Sequence, residues 1–98
     1  MPKAYTIVEY ETLDAAAQAE NAPTLQAAIK AAGGRQLLTP GGKVSAVDGM
    51  APKGVNLVEW ETLAQANAFR DSAAYKAFAP QLAKAIKITR RYVVESGS

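Results

Sequence analysis

The chain contains neither cysteine nor histidine. Without cysteine there is no disulfide framework and no thiol nucleophile. Without histidine it lacks the side chain best suited to proton transfer near neutral pH. The two absences together remove the usual ligand sets for zinc, copper and haem. They also remove any Ser-His or Cys-His nucleophile pair, so no metal or cofactor is expected. Charge is sparse as well: 11 basic against 9 acidic residues leave a formal net charge of +2. So small and scattered an excess predicts neither a nucleic-acid nor a membrane partner. No apolar run approaches the roughly 18 residues of a membrane span. Met1-Pro2-Lys3 leads straight into a strand pattern with no signal-peptide core, so a cytoplasmic protein is expected.

What the chain does have is a repeat. Ile7-Val8-Glu9-Tyr10-Glu11-Thr12-Leu13 returns 50 positions later as Leu57-Val58-Glu59-Trp60-Glu61-Thr62-Leu63, identical at five of seven places. Pro23-Thr24-Leu25-Gln26-Ala27-Ala28-Ile29-Lys30 matches Pro80-Gln81-Leu82-Ala83-Lys84-Ala85-Ile86-Lys87 at five of eight, at an offset of 57. A repeat of this length is one supersecondary unit used twice. The 98 residues are thus expected to form one domain over 2–95, from pseudo-repeats 4–47 and 54–95, with a tail at 96–98.

Within each unit the pattern alternates strand and helix. Ala4–Glu11 has the branched and aromatic residues of a strand. An alanine-rich helix follows from about Asp14 to Ala32, capped by Thr12 or Asp14 and ended by Gly33-Gly34. Pro23 predicts a kink or break near Asn21-Ala22. Arg35–Thr39 and Lys43–Val47 read as extended, with Pro40-Gly41-Gly42 as a bulge or tight turn between them. Val55–Glu61 is the third strand. Thr62-Leu63-Ala64-Gln65 is a capping box for a second helix that Asp71-Ser72 interrupts and Pro80 kinks. Arg90–Glu95 is the last strand. The order β-α-β-β-α-β with right-handed crossovers gives an α+β, ferredoxin-like fold: an antiparallel four-stranded sheet with helices on one face.

These strands do not alternate apolar with polar. Ile7 and Val8, Leu37 and Leu38, Leu57 and Val58, and Val93 and Val94 are adjacent pairs that point to opposite faces. Both faces are therefore apolar, and two helices cover only one. A bare second face would be a large hydrophobic patch, so a homodimer stacking sheet on sheet, a dimeric α/β barrel, is expected. Tyr10 and Trp60 are candidates for its interface or barrel lining.

The chain from Pro2 to Glu95 resembles domain-of-unknown-function family thirteen-thirty of the dimeric α/β-barrel superfamily. The resemblance is carried by Tyr5-Thr6-Ile7-Val8-Glu9-Tyr10, Ala32-Gly33-Gly34-Arg35, Gly41-Gly42-Lys43-Val44, Val58-Glu59-Trp60 and Ser72-Ala73-Ala74-Tyr75. It departs where members often carry aromatic residues (here Ala17, Asn21), proline (Ala73) and arginine (Lys53-Gly54). The resemblance implies the fold and a dimer. Its wider superfamily holds cofactor-independent oxygenases, haem-degrading enzymes and binding modules, so it does not choose an activity.

The candidate chemistry is thin. Glu9 and Glu59 are repeat-equivalent carboxylates beside apolar Ile7 and Leu57, and burial would raise their pKa values for acid–base work. Strand ends reaching solvent or a lysine explain them as well, and antiparallel central strands put them at opposite ends. Arg35 could hold a ligand carboxylate, or simply sit near a helix C-terminus. Ser72 and Tyr75 could offer hydroxyls to a pocket between helix and sheet, though Tyr75 also fits an apolar stripe with Phe78 and Leu82. Gly41-Gly42-Lys43 lacks the rest of a phosphate loop. An RNA-recognition reading shares the element order, but Val55 and Leu57 stand where stacking rings belong and two glutamates flank Trp60. The reading is a small-molecule binder between helices and sheet. A cofactor-independent enzyme (proton transfer or monooxygenase-like) and a purely structural dimer are the alternatives.

Overall fold

The structure is a computed structural model that describes residues 2–38 and 41–97. Its elements are β1 (Ala4–Thr12), α1 (Ala15–Ala31), β2 (Arg35–Gln36), β3 (Gly54–Trp60), α2 (Leu63–Asp71), α3 (Ala73–Ala85) and β4 (Ile86–Glu95). The strands form one sheet in the order β2-β3-β1-β4, every neighbour antiparallel. The helices pack on one face, as the pattern predicted for a ferredoxin-like fold.

Side-chain caps set the helix starts. Asp14 caps α1, its carboxylate accepting from Ala17 N–H at 3.1 Å. Thr12 instead donates to Gln18. Thr62 caps α2, accepting from Gln65 N–H at 3.1 Å, while Gln65 Oε1 reaches back to Glu61 N–H at 3.2 Å. Ser72 separates α2 from α3: its hydroxyl donates to the Phe69 carbonyl at 2.6 Å and accepts from Tyr75 N–H at 3.2 Å. α1 ends where Gly33 N–H bonds the Lys30 carbonyl and Gly34 N–H the Ile29 carbonyl, with Gly33 at φ 93°. That paired C-terminal motif needs the left-handed region, which glycine enters at little cost.

Several expectations are corrected. The break allowed for at Pro23 is absent: α1 runs unbroken through it, as α3 does through Pro80. Each proline removes one donor, at a typical cost of about 3 kcal/mol, and the packing of Leu25 and Ile29, and of Phe78 and Leu82, holds the helices whole. β2 is only two residues long, extended by one further bond from Leu37 N–H to the Leu57 carbonyl. Residues 43–47 are not a strand: among the described residues none pairs with them, and Val47 is 90% exposed. Thr39 and Pro40 lie outside the described residues, and the one register shift in the sheet falls between Glu9 and Tyr10, opposite Thr89, rather than at Gly41-Gly42. β4 begins at Ile86, four residues earlier than expected, directly on the end of α3. Ser96, expected in the tail, still donates to the Lys3 carbonyl at 2.7 Å.

The core lies between helices and sheet. Trp60 is its largest fully buried side chain, packed with Ile29, Val58, Ala66 and Phe69. Its indole N–H donates to the Thr6 hydroxyl at 3.0 Å, so no polar atom is stranded. Gly34 makes room for it: a Cβ there would lie 2.8 Å from both the indole ring and Ile29. Tyr10 packs with Ala85 and Ile86 in a second cluster. Tyr10 and Trp60, expected at a dimer interface, are therefore already buried within one chain on the helix-covered face. Both faces being apolar, the strand pattern could not say which one the helices cover.

Candidate functional site

A cleft of about 50 Å³ runs between helices and sheet. Even-numbered residues of the central strands floor it: Thr6 and Val8 from β1, Asn56, Val58 and Trp60 from β3. Leu25 and Ile29 of α1, Phe69 of α2 and Leu82 of α3 close it from above. The period of two along a strand puts each floor residue there.

Arg91 reaches the same cleft by another route. Thr89 and Arg90 together stand opposite Glu9, a one-residue β-bulge, with the Thr89 hydroxyl donating to the Glu9 carbonyl at 3.0 Å. The extra residue inverts the alternation beyond it. Ile88 pairs with Tyr10 and Arg91 with Val8, so both face the helices although three positions apart. Arg90, paired with Glu9, faces the other way.

The polar groups of the cleft are incompletely paired. Asn56 is 8% exposed and its Oδ1 has no hydrogen-bond partner. Neither amide atom of Gln36, at the edge, has one. A second cavity of about 20 Å³ touches Asn56 from the α1–α3 side, room for one water. Arg91 donates to the Tyr75 hydroxyl and lies 5.9 Å from the ring centroid. That bond uses Tyr75 as acceptor, leaving its own proton free to donate. Arg70 also lines the cleft, and among the described residues neither Arg70 nor Arg91 has a carboxylate within 4.0 Å. No carboxylate lines the cleft, and among the described residues no cluster of acidic groups could hold a metal.

The candidates from sequence are scattered. Tyr75 is in the cleft, its ring tilted by 59° against Phe69 at 5.3 Å between centroids. Ser72 is spent on the α2–α3 turn and does not line the cleft. Arg35 is exposed on edge strand β2, opposite Glu59, bordering a shallow depression at the end of α1. Glu9 and Glu59 lie on the uncovered face, at opposite ends of the central strand pair. Glu9 accepts both N–H groups of the Arg90 fork, at 3.1 and 2.8 Å, and the Tyr92 hydroxyl at 3.2 Å. The Arg90 hydrogen bonds, opposed in part by burial and aided by Tyr92, hold its carboxyl below the usual carboxylate range. The raised pKa that acid catalysis would need is thus reversed. Glu59 accepts from Tyr5 at 3.2 Å and from Lys3 at 3.4 Å. Neither glutamate can act with Tyr75, because the sheet stands between them.

The cleft's polar groups Asn56, Gln36 and Arg91 went unread in the sequence. Asn56 did leave a signal: a poor strand former in the middle of a strand, on the parity of Val58 and Trp60. Arg91 left none, since the bulge that turns it inward has no mark in the run from Ile88 to Val93.

The chain belongs to the family described as domain of unknown function (DUF1330), whose pattern matches residues 3–96. Among solved structures it is similar to a protein from Nitrosomonas europaea named as a putative antibiotic biosynthesis monooxygenase, with a TM-score of 0.57 and 14% identity. The similarity covers 100% of this chain and 92% of that one. At that identity it shows a shared fold. No curated protein matches the chain.

Proposed function

We propose that this member of the DUF1330 family binds a small organic molecule in the cleft between helices and sheet. The observation that carries the reading is the Asn56 carboxamide, more than nine-tenths buried and lacking a partner for its oxygen in a cleft walled mainly by hydrocarbon. A buried unsatisfied amide costs about 1–3 kcal/mol, so each such group calls for an explanation. A ligand hydroxyl or carbonyl meeting Asn56 supplies one, with Gln36 and the Tyr75 hydroxyl as further contacts. The test is native mass spectrometry of protein purified gently from its own cells, beside the Asn56→Leu variant. A small molecule carried by the former and lost from the latter supports the reading. An unliganded protein by both preparations, with no small molecule protecting it in a thermal-shift screen, overturns it.

A catalytic version has one observation behind it: the Tyr75 proton lies free at the cleft beside Arg91, where it could protonate an oxygen of a bound molecule. The name of the Nitrosomonas protein, a putative monooxygenase, is consistent with oxygenation as that chemistry. Loss of turnover in Tyr75→Phe with retained ligand binding is the expected signature.

The reading also includes a homodimer formed by the uncovered faces. Ile7 and Leu57 pair across its centre, with Val55, Tyr92 and Val94 beside them, and Tyr92 and Val94 are 40% and 45% exposed. Light scattering at micromolar concentration checks it. Two chains for the native protein and one for Leu57→Glu are expected, and a native monomer removes the idea.

A further inference from the structure

We propose that the molecule bound in this cleft is an apolar organic anion whose acid group is held by Arg91, an assignment that rests on the ligand-binding reading above. The first argument is a census of charge. Arg70 and Arg91 line the cleft with no carboxylate among its other walls. Beyond Tyr75 and Arg91 the cleft continues into an outer groove of about 430 Å³ between α3 and β4, which adds Lys87 and again no carboxylate. Tyr75, Leu82, Ile86, Ile88 and Arg91 border both spaces, so Arg91 stands at their junction.

The second argument is the contrast between neighbours. Arg90 has a bidentate carboxylate partner in Glu9. Arg91, half buried, has only the neutral Tyr75 hydroxyl. A planar guanidinium with free donors is the natural seat for a carboxylate, sulfonate or phenolate. Size decides how the molecule lies. About 50 Å³ in the cleft admits a small polar end and not a ring, whereas the outer groove falls in the range of about 300–1,000 Å³ usual for organic ligands. The body therefore rests in the groove on Leu82, Ile86 and Ile88. The acid group meets Arg91, and a small hydroxyl or carbonyl end reaches toward Asn56.

Two fluorescent probes with one ring system separate the claims: 8-anilinonaphthalene-1-sulfonate, an anion, and N-phenyl-1-naphthylamine, its neutral counterpart. Fluorescence titration of the native protein should give a Kd for the anion about tenfold below that of the neutral probe, a gap of the size a charge-assisted pair supplies. Salt at about 0.5 M should weaken the anion alone. Arg91→Gln should erase the difference by weakening the anion, and Arg91→Lys, which keeps the charge and guards against a misfolded variant, should retain most of it. Leu82→Trp, which fills both spaces, should weaken both probes. Equal affinity for the two probes, or a preference that survives Arg91→Gln, overturns the anion assignment. If Leu82→Trp still blocks both probes in that case, the cleft reading stands and only the charge class falls. If Leu82→Trp blocks neither, the cleft itself is the wrong site and both ideas fall.

Discussion

The two faces of the sheet treat their polar groups in opposite ways. On the uncovered face each acid is answered: Glu9 by Arg90 and Tyr92, Glu59 by Tyr5 and Lys3. On the helix-covered face, where partners matter more because water is excluded, the Asn56 oxygen and both Gln36 amide atoms have none and Arg91 has only a hydroxyl. A layer built for stability alone would do the reverse. Satisfied polar groups around apolar Ile7 and Leu57 suit a surface that meets another surface. Unsatisfied ones inside the core suit a place that receives a molecule. The repeat-equivalent glutamates drew the eye in the sequence, yet they belong to the first category.

The largest expected effect falls on the covered face. Trp60→Ala should destabilise by about 3–5 kcal/mol in denaturant unfolding, the range for removing a buried large aromatic. A loss under about 1 kcal/mol would mean that this face is not the core. Gly34→Ala should cost about 1–3 kcal/mol by overpacking, because the new methyl would press on the Trp60 ring and Ile29 at 2.8 Å. Combined with Trp60→Ala it should cost less than alone, since the ring's share of the clash is then gone and only Ile29 remains in the way.

The third change runs the other way. Asn56→Leu should stabilise the unliganded protein by about 1 kcal/mol or more, because it replaces an unsatisfied buried amide by hydrocarbon beside space that can take it. It should also remove ligand binding. Destabilisation instead would show that the amide finds its partner within the fold.

The smallest effect is on the uncovered face. With its folded pKa below the ordinary 4.5, Glu9 contributes stability that is present above the unfolded carboxylate pKa and lost as pH falls through the folded value. Glu9→Gln should therefore flatten the acid side of the stability curve below about pH 4.5 and leave ligand binding untouched. Unfolding curves from pH 7 to pH 2 measure the first, probe titration the second. A change in probe affinity would break the separation between faces.

The architecture was legible in the sequence because it is written redundantly. The doubled Val-Glu-aromatic-Glu-Thr-Leu segment, the caps at Asp14, Thr62 and Ser72, and the Gly33-Gly34 stop each point to the same elements. The site was less so. Tyr75 was readable, since helical spacing carries it to the sheet side with Phe78 and Leu82. That Val8, Tyr10, Val58 and Trp60 share one face was readable too. Which face the helices take was not, because hydrophobic residues occupy both parities. Arg91 was out of reach: alternation counted from Ile88 assigns Arg90 to the cleft and Arg91 to the far side, the inverse of what the bulge at Thr89 produces.

That one inserted residue makes β4 a reading-frame device. Were β4 to pair without the bulge, with Thr89 itself opposite Glu9, the two guanidiniums would exchange sides, one pulled from its carboxylate and the other aimed away from the tyrosine, whereas deleting Thr89 would leave both where they are, in plain alternation. Substitution at the two positions cannot reproduce that exchange. For anyone redesigning this scaffold, whether residue 89 bulges or pairs governs the chemistry on both sides at once, so changes that close or move the bulge belong in the library alongside point changes.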